Sequence, residues 1–198
     1  MICGLDEVGR GPLAGPVCAA AVVLPPDFPL DILNDSKKLS PKRRDEAMPI
    51  IYERAVAWGI GWASAVEIDE MNILQASLLA MQRAFEDMMS RSTPLIQKAA
   101  KGGAGGLTAI VDGLYVPNLP IPGRALVKAD SQIPEVMAAS ILAKTARDRM
   151  MERYSWLYPD YGYDQHKGYP TAAHFAAIAR CGPSPIQRMS FRMEKKVK

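Results

Sequence analysis

Acids dominate the chemistry this chain could do. Asp6 and Glu7 stand side by side in LDEVGRGPLAG, directly after an apolar start. Asp112 follows the run Thr108-Ala109-Ile110-Val111, and Asp130 follows a run from Arg124 to Lys128. Three apolar runs therefore end in carboxylates, and in open α/β sheets the functional crevice lies at strand ends. Carboxylates gathered in one place repel one another unless a cation neutralises them. No histidine or cysteine lies close by in sequence, and an oxygen-only donor set selects a hard cation, magnesium or manganese, rather than zinc. Each acid alone also reads as a surface residue in a turn, because Asp-Gly is a common turn pair. Three such ends, one of them doubled, weigh towards metal, although spacing by itself leaves the two readings level.

Neighbours in a regular strand point to opposite faces. Asp6 and Glu7 are thus expected to share one site only if the chain bends there, with Gly9, Gly11 and Pro12 supplying the bend. Gly9-Arg10-Gly11 is half of a dinucleotide fingerprint without its third glycine in register, so a dinucleotide fold is rejected. The same glycines would let backbone groups approach a ligand closely. Lys37 and Lys38 add cations in a polar loop, His166-Lys167-Gly168-Tyr169 adds a base and an aromatic ring, and Arg188, Ser190 and Arg192 cluster near the C-terminus. Singly each is an ordinary solvated group. Together they fit a phosphate-lined groove beside the acids.

The elements that must carry these groups follow from periodicity. Met1 to Leu5 and Pro16 to Leu24 lack polar alternation, as strands covered on both faces do. Ser40-Pro41 opens a helix that should run to about Arg54, with Ser40 as N-cap and Pro41 in the first helical position. Val56, Trp58, Ile60 and Trp62 recur at period two and predict a strand. Ile68, Met71, Leu74, Leu78, Met81, Phe85 and Met88 recur at gaps of three or four, which predicts a single amphipathic helix of about six turns. Short strands are expected over 108–111 and 124–128. An alanine-rich helix should span 133–154, an aromatic loop 158–170 and a last helix 171–180, before a basic tail. Strands and helices mixed in this way, with long crossovers, indicate an α/β protein with a central mixed sheet.

The totals agree. A length of 198 residues suits one domain. A net charge of +3 excludes a strongly cationic nucleic-acid wrapper but permits a basic face. Cys3, Cys18 and Cys181 form an odd set without a CxxC pair, which argues for free thiols and against a disulfide framework or zinc site. His166 and His174 fit neither a zinc motif nor an obvious catalytic pair. No leader pattern and no stretch approaching about 18 uncharged apolar residues is found, so a cytoplasmic protein is expected.

From LDEVGRGPLAGPV, LNDSKKLS, MNILQASLLAM, VDG, MAASILAKTARDR and HKGYPTAAH, in that order, the chain resembles the ribonuclease HII family nearly end to end. The resemblance implies a ribonuclease H-like α/β fold, a central five-stranded mixed sheet flanked by helices, with a C-terminal helical segment. It implies one catalytic domain over residues 1–198, of which about 158–198 form a substrate-contacting loop, helix and basic tail. The implied activity is hydrolysis of the RNA strand of RNA–DNA hybrids and cutting 5′ of single ribonucleotides embedded in duplex DNA. Two Mg2+ or Mn2+ ions would serve it, leaving 3′-hydroxyl and 5′-phosphate ends. By matching motifs, Asp6, Glu7, Asp112 and Asp130 would hold the metals, and Gly9, Arg10 and Gly11 would meet the ribose 2′-OH and its backbone. Tyr169 would pack on the sugar of the neighbouring deoxynucleotide, with Lys37, Arg188 and Ser190 contacting phosphate. The expected partners are nucleic acids, with no membrane and no protein partner named, and the chain is expected to be monomeric.

Two departures stand out. Ala129 precedes the fourth acid where the family usually has glycine, and the segment 131–135 differs from the usual run, with Glu135 as a spare acid nearby. The sister family, ribonuclease HIII, normally carries an extra N-terminal domain and a glutamate as fourth acid, so HII is preferred. The rival readings are a non-catalytic hybrid-binding module on the same fold, and another nuclease or strand-transfer enzyme sharing it.

Overall fold

The computed structural model describes residues 1–33, 39–102 and 105–191. Five strands form one sheet: β1 (Ile2–Val8), β2 (Val17–Val23), β3 (Ala57–Ala63), β4 (Thr108–Asp112) and β5 (Gly123–Leu126), in the order β3-β2-β1-β4-β5. β1, β2 and β3 pair antiparallel, while β4 lies parallel to β1 and β5 parallel to β4. The sheet is therefore mixed, as the crossover pattern predicts.

Seven helices accompany it among the described residues: α1 (Pro41–Arg54), α2 (Ala65–Met71), α3 (Ile73–Arg91), α4 (Pro94–Ala100), α5 (Pro134–Leu157), α6 (Tyr163–His166) and α7 (Ala172–Cys181). β2 is buried along its whole length because both faces are covered. On one face Val17, Ala19, Ala21 and Val23 pack with Ala80, Ala84, Phe85 and Met88 of α3. On the other, Cys18, Ala20 and Val22 pack with Ile51 of α1 and Ala138, Ile141 and Leu142 of α5. Alternate residues of one strand thus feed two cores, as the pleat requires.

α3 lies unusually close to the sheet. A Cβ on Gly61 would fall 2.1 Å from the Ala80 carbonyl oxygen, and one on Gly59 would fall 2.3 Å from that of Ala84. The single long helix expected from Ile68 onward is two. Asn72 (φ 74°) turns the chain, and its side-chain oxygen accepts from the N–H groups of Leu74 and Gln75 to cap α3. After the turn the buried stripe is Ala76, Ala80, Met81, Ala84, Phe85 and Met88, so Leu74 and Leu78 stand only half-buried. Among the described residues, no helix is long and apolar enough to cross a membrane.

Candidate active site

The site begins with register. β1 and β4 are parallel, with Leu5 opposite Val111. Residues in register on neighbouring strands share a face, so the next pair, Asp6 and Asp112, project together. Asp130 arrives from a short 3-10 turn, Ala129–Ser131, just before α5. One carboxylate oxygen from each of Asp6, Asp112 and Asp130 can be chosen so that all lie within 4.8 Å of one another, and no other such group occurs among the described residues. Asp6 and Asp130 are nearly buried, at 5% and 6% exposure.

Each acid is held. The Asp6 carboxylate accepts from the Glu7 N–H at 2.8 Å and from the Ser140 hydroxyl on α5. Asp112 accepts from the Ala129 N–H at 2.8 Å, which ties β4 to the turn bearing Asp130. Ala129 itself is buried without strain; the left-handed conformation falls on Lys128 (φ 59°). The alanine therefore fits where glycine is usual. Glu135 is not in the acid cluster. Burial, ahead of the charges of Glu7 and Asp112, pushes the Asp6 carboxyl well above the ordinary range.

Glu7 departs from expectation. β1 continues straight through it to Val8, paired with β2, so no bend turns it beside Asp6. Its carboxylate lies outside the three-acid cluster and pairs with Arg10 at 3.3 Å. Burial raises the Glu7 carboxyl and Asp112 adds to this, with Arg10 opposing both.

The glycine loop is set by two buried arginines that the sequence did not mark as structural. Arg188, expected at a phosphate, is fully buried. It donates to the carbonyls of Gly9 (2.6 Å), Arg10 (3.0 Å) and Gly15 (2.8 Å). Its guanidinium is committed to shaping the loop, so the phosphate-contact expectation is corrected. Arg147 of α5 packs against Gly9 (φ 95°), where any Cβ would come within 2.1 Å of its Nε. Ser190 is exposed, and its hydroxyl donates to Asp69 at 2.5 Å rather than standing ready for a phosphate. Tyr169 is 37% exposed, with a ring carbon 3.7 Å from where a Gly11 Cβ would be. Lys37, Lys38 and Arg192 lie outside the described residues.

The histidine of HKGY is no base for a substrate. His166 is buried, its Nε2 lies 2.7 Å from the Tyr161 carbonyl and its Nδ1 accepts from the Gly168 N–H. A carbonyl only accepts, so Nε2 carries the proton. His174 stacks on it, centroids 4.5 Å apart, with Nδ1 3.0 Å from the Tyr169 carbonyl. The pair thus braces the turn that presents Tyr169.

Three converging aspartates, two of them buried, offer oxygen donors alone, which suits a hard divalent cation. Together with the mixed sheet, they define a metal-dependent nuclease of the ribonuclease H class. A family model described as Ribonuclease HII matches residues 3–194. A Ribonuclease HII of Treponema denticola is 56% identical over 197 residues, covering 96% of this chain and 98% of its own. One from Dechloromonas aromatica is 52% identical, covering 96% and 90%. The crystal structure of ribonuclease H2 from Pyrococcus horikoshii superposes with a TM-score of 0.69 at 25% identity, covering 97% of this chain and 94% of that one. The chain belongs to the ribonuclease HII family. It is a divalent-metal-dependent endonuclease of the ribonuclease H type, a class that acts on RNA–DNA hybrids.

Proposed function

We propose that this protein, besides cutting the RNA strand of hybrids, cuts 5′ of single ribonucleotides embedded in duplex DNA, leaving 3′-hydroxyl and 5′-phosphate ends. The observation that carries the reading is the convergence of Asp6, Asp112 and Asp130, with Asp6 three residues before the Gly9–Gly11 loop and Tyr169 against Gly11 of that loop. Asp6, Asp112 and Asp130 would hold two ions of Mg2+ or Mn2+, and Glu7 would join them on leaving Arg10. A divalent pair at such a centre supplies charge stabilisation for both the attacking and the leaving oxygen of an in-line displacement.

The chain's own groups do the rest. Ser140 and the Glu7 N–H orient Asp6, and the Ala129 N–H orients Asp112. Water oxygen bonds to phosphorus and gives up a proton to solvent, the bond from phosphorus to the 3′-oxygen breaks, and that oxygen takes a proton from solvent and leaves as a hydroxyl. The 2′-OH distinguishes RNA from DNA. Arg188 holds the carbonyls of Gly9 and Arg10 and so fixes the loop whose backbone groups meet the 2′-OH. Arg10, whose side chain is 48% exposed, exchanges Glu7 for a phosphate when the acids take up cations. Tyr169 packs on the sugar of the adjoining deoxynucleotide, and Lys37 adds a phosphate contact. In this reading the protein works as a single monomeric catalytic domain in the cytoplasm. End-group analysis of a cut RNA–DNA hybrid tests it. Products with 5′-phosphate and 3′-hydroxyl ends, formed only with divalent metal, are expected. A 2′,3′-cyclic phosphate would overturn it, because the 2′-OH would then be the nucleophile.

A further inference from the structure

Arg147 takes no part in the chemistry above, yet it joins the two loops that would read the substrate. It is wholly buried on α5. Its Nε donates to the Pro16 carbonyl at 2.9 Å and one terminal nitrogen to that of Ala14 at 3.2 Å, both just beyond the Gly9–Gly11 loop. The other terminal nitrogen donates to the Lys167 carbonyl at 3.0 Å, two residues before Tyr169. The guanidinium carbon stands 5.9 Å from the centre of the Tyr169 ring. One backbone bond, from the Leu13 N–H to the Gly168 carbonyl at 2.8 Å, runs directly between the two loops. Each nitrogen of the buried cation has a carbonyl partner, as a charge taken out of water requires. A planar fork with fixed donor directions sets the spacing of the groups it bonds, which a flexible lysine cannot do.

We infer that Arg147 is a positioning residue: it fixes the separation of the Gly9–Gly11 loop from Tyr169 and so sets preference for an isolated ribonucleotide over continuous RNA. This rests on the roles given to those loops under Proposed function. A continuous RNA strand offers a ribose at every step, so a displaced loop still finds one. An isolated ribonucleotide offers a single register, in which loop and tyrosine must both fit.

The test compares Arg147→Lys with wild type on two substrates: a DNA duplex containing one ribonucleotide and a continuous RNA–DNA hybrid. A misplacement of about 1 Å can cost ~100-fold in rate. The variant, assayed below its own melting temperature, should therefore lose at least about tenfold more kcat/KM on the first substrate than on the second. Parallel losses on both would overturn the inference, because a merely structural role weakens the whole site alike. Failure of the wild type to cut at a single ribonucleotide would instead overturn the function proposed above. Should the lysine variant not fold, Gly168→Ala asks the same question with Arg147 in place. Its Cβ would lie 2.5 Å from the Ala14 carbonyl oxygen and force the loops apart. The same skew is expected, and parallel losses would again count against the inference.

Discussion

A carboxylate in the interior is stable only with something to answer its charge, and Asp6 has Glu7 and Asp112 as neighbours instead. Asp6→Asn removes a ligand charge and almost no volume. Turnover should fall on the order of 10³-fold, as when a single electrostatic stabiliser of a transition state is lost. At pH high enough to ionise Asp6 in the folded state, the metal-free protein should at the same time melt higher, since repulsion is relieved. Retained cleavage at saturating metal would show that Asp6 is not a ligand. Tyr169→Ala should weaken cutting at a single ribonucleotide more than cutting of a long hybrid; equal losses would deny the tyrosine a role at the junction. The three aspartates were legible in the sequence because each closes an apolar run. The fates of Glu7 and Arg188 were not. Glu7 hinges on whether a strand stays straight for one more residue. Arg188 meets Gly9, Arg10 and Gly15 across more than 170 positions of chain, a separation no local pattern encodes. The same holds for Arg147, whose motif gave only a family resemblance and no hint of burial.

At the scale of elements, periodicity carried most of the fold. The strands at 57–63 and 108–112 and the helices opened by Ser40 and Thr171 stand within a few residues of their expected bounds. Cap chemistry explains the two helices: Ser40 Oγ accepts from the Arg43 N–H and Thr171 Oγ1 from that of His174. The break at Asn72 stayed hidden because apolar residues keep gaps of three or four across it. Spacing cannot register a change of axis. Nor did it reveal that α3 buries alanines against Gly59 and Gly61, since small residues signal closeness only once their partner strand is known. Gly61→Ala should accordingly destabilise by about 1–3 kcal/mol, the usual cost of overpacking. Chemical denaturation measures this, and a neutral effect would mean that α3 can retreat from β3 freely.

For the molecule as a whole, acid site, pH and stability are linked. A carboxyl raised in the folded state holds its proton where the unfolded chain has lost it. The metal-free protein therefore loses stability as pH rises from the ordinary aspartate range through the raised Asp6 value. A divalent ion binds the ionised form, so the rise in melting temperature produced by Mg2+ or Mn2+ should grow with pH and vanish in acid. Melting curves with metal and with chelator across pH would show this, and a metal effect independent of pH would contradict it. The central claim joins this centre to a reader of the ribose. It is tested most directly by offering the protein a DNA duplex with one ribonucleotide and the same duplex without it, in Mg2+, in Mn2+ and in chelator. The account predicts one cut, on the 5′ side of the ribonucleotide, only in the first duplex and only with metal. Cutting of both duplexes, or no cut by folded protein that binds the ribonucleotide-containing duplex, would contradict it.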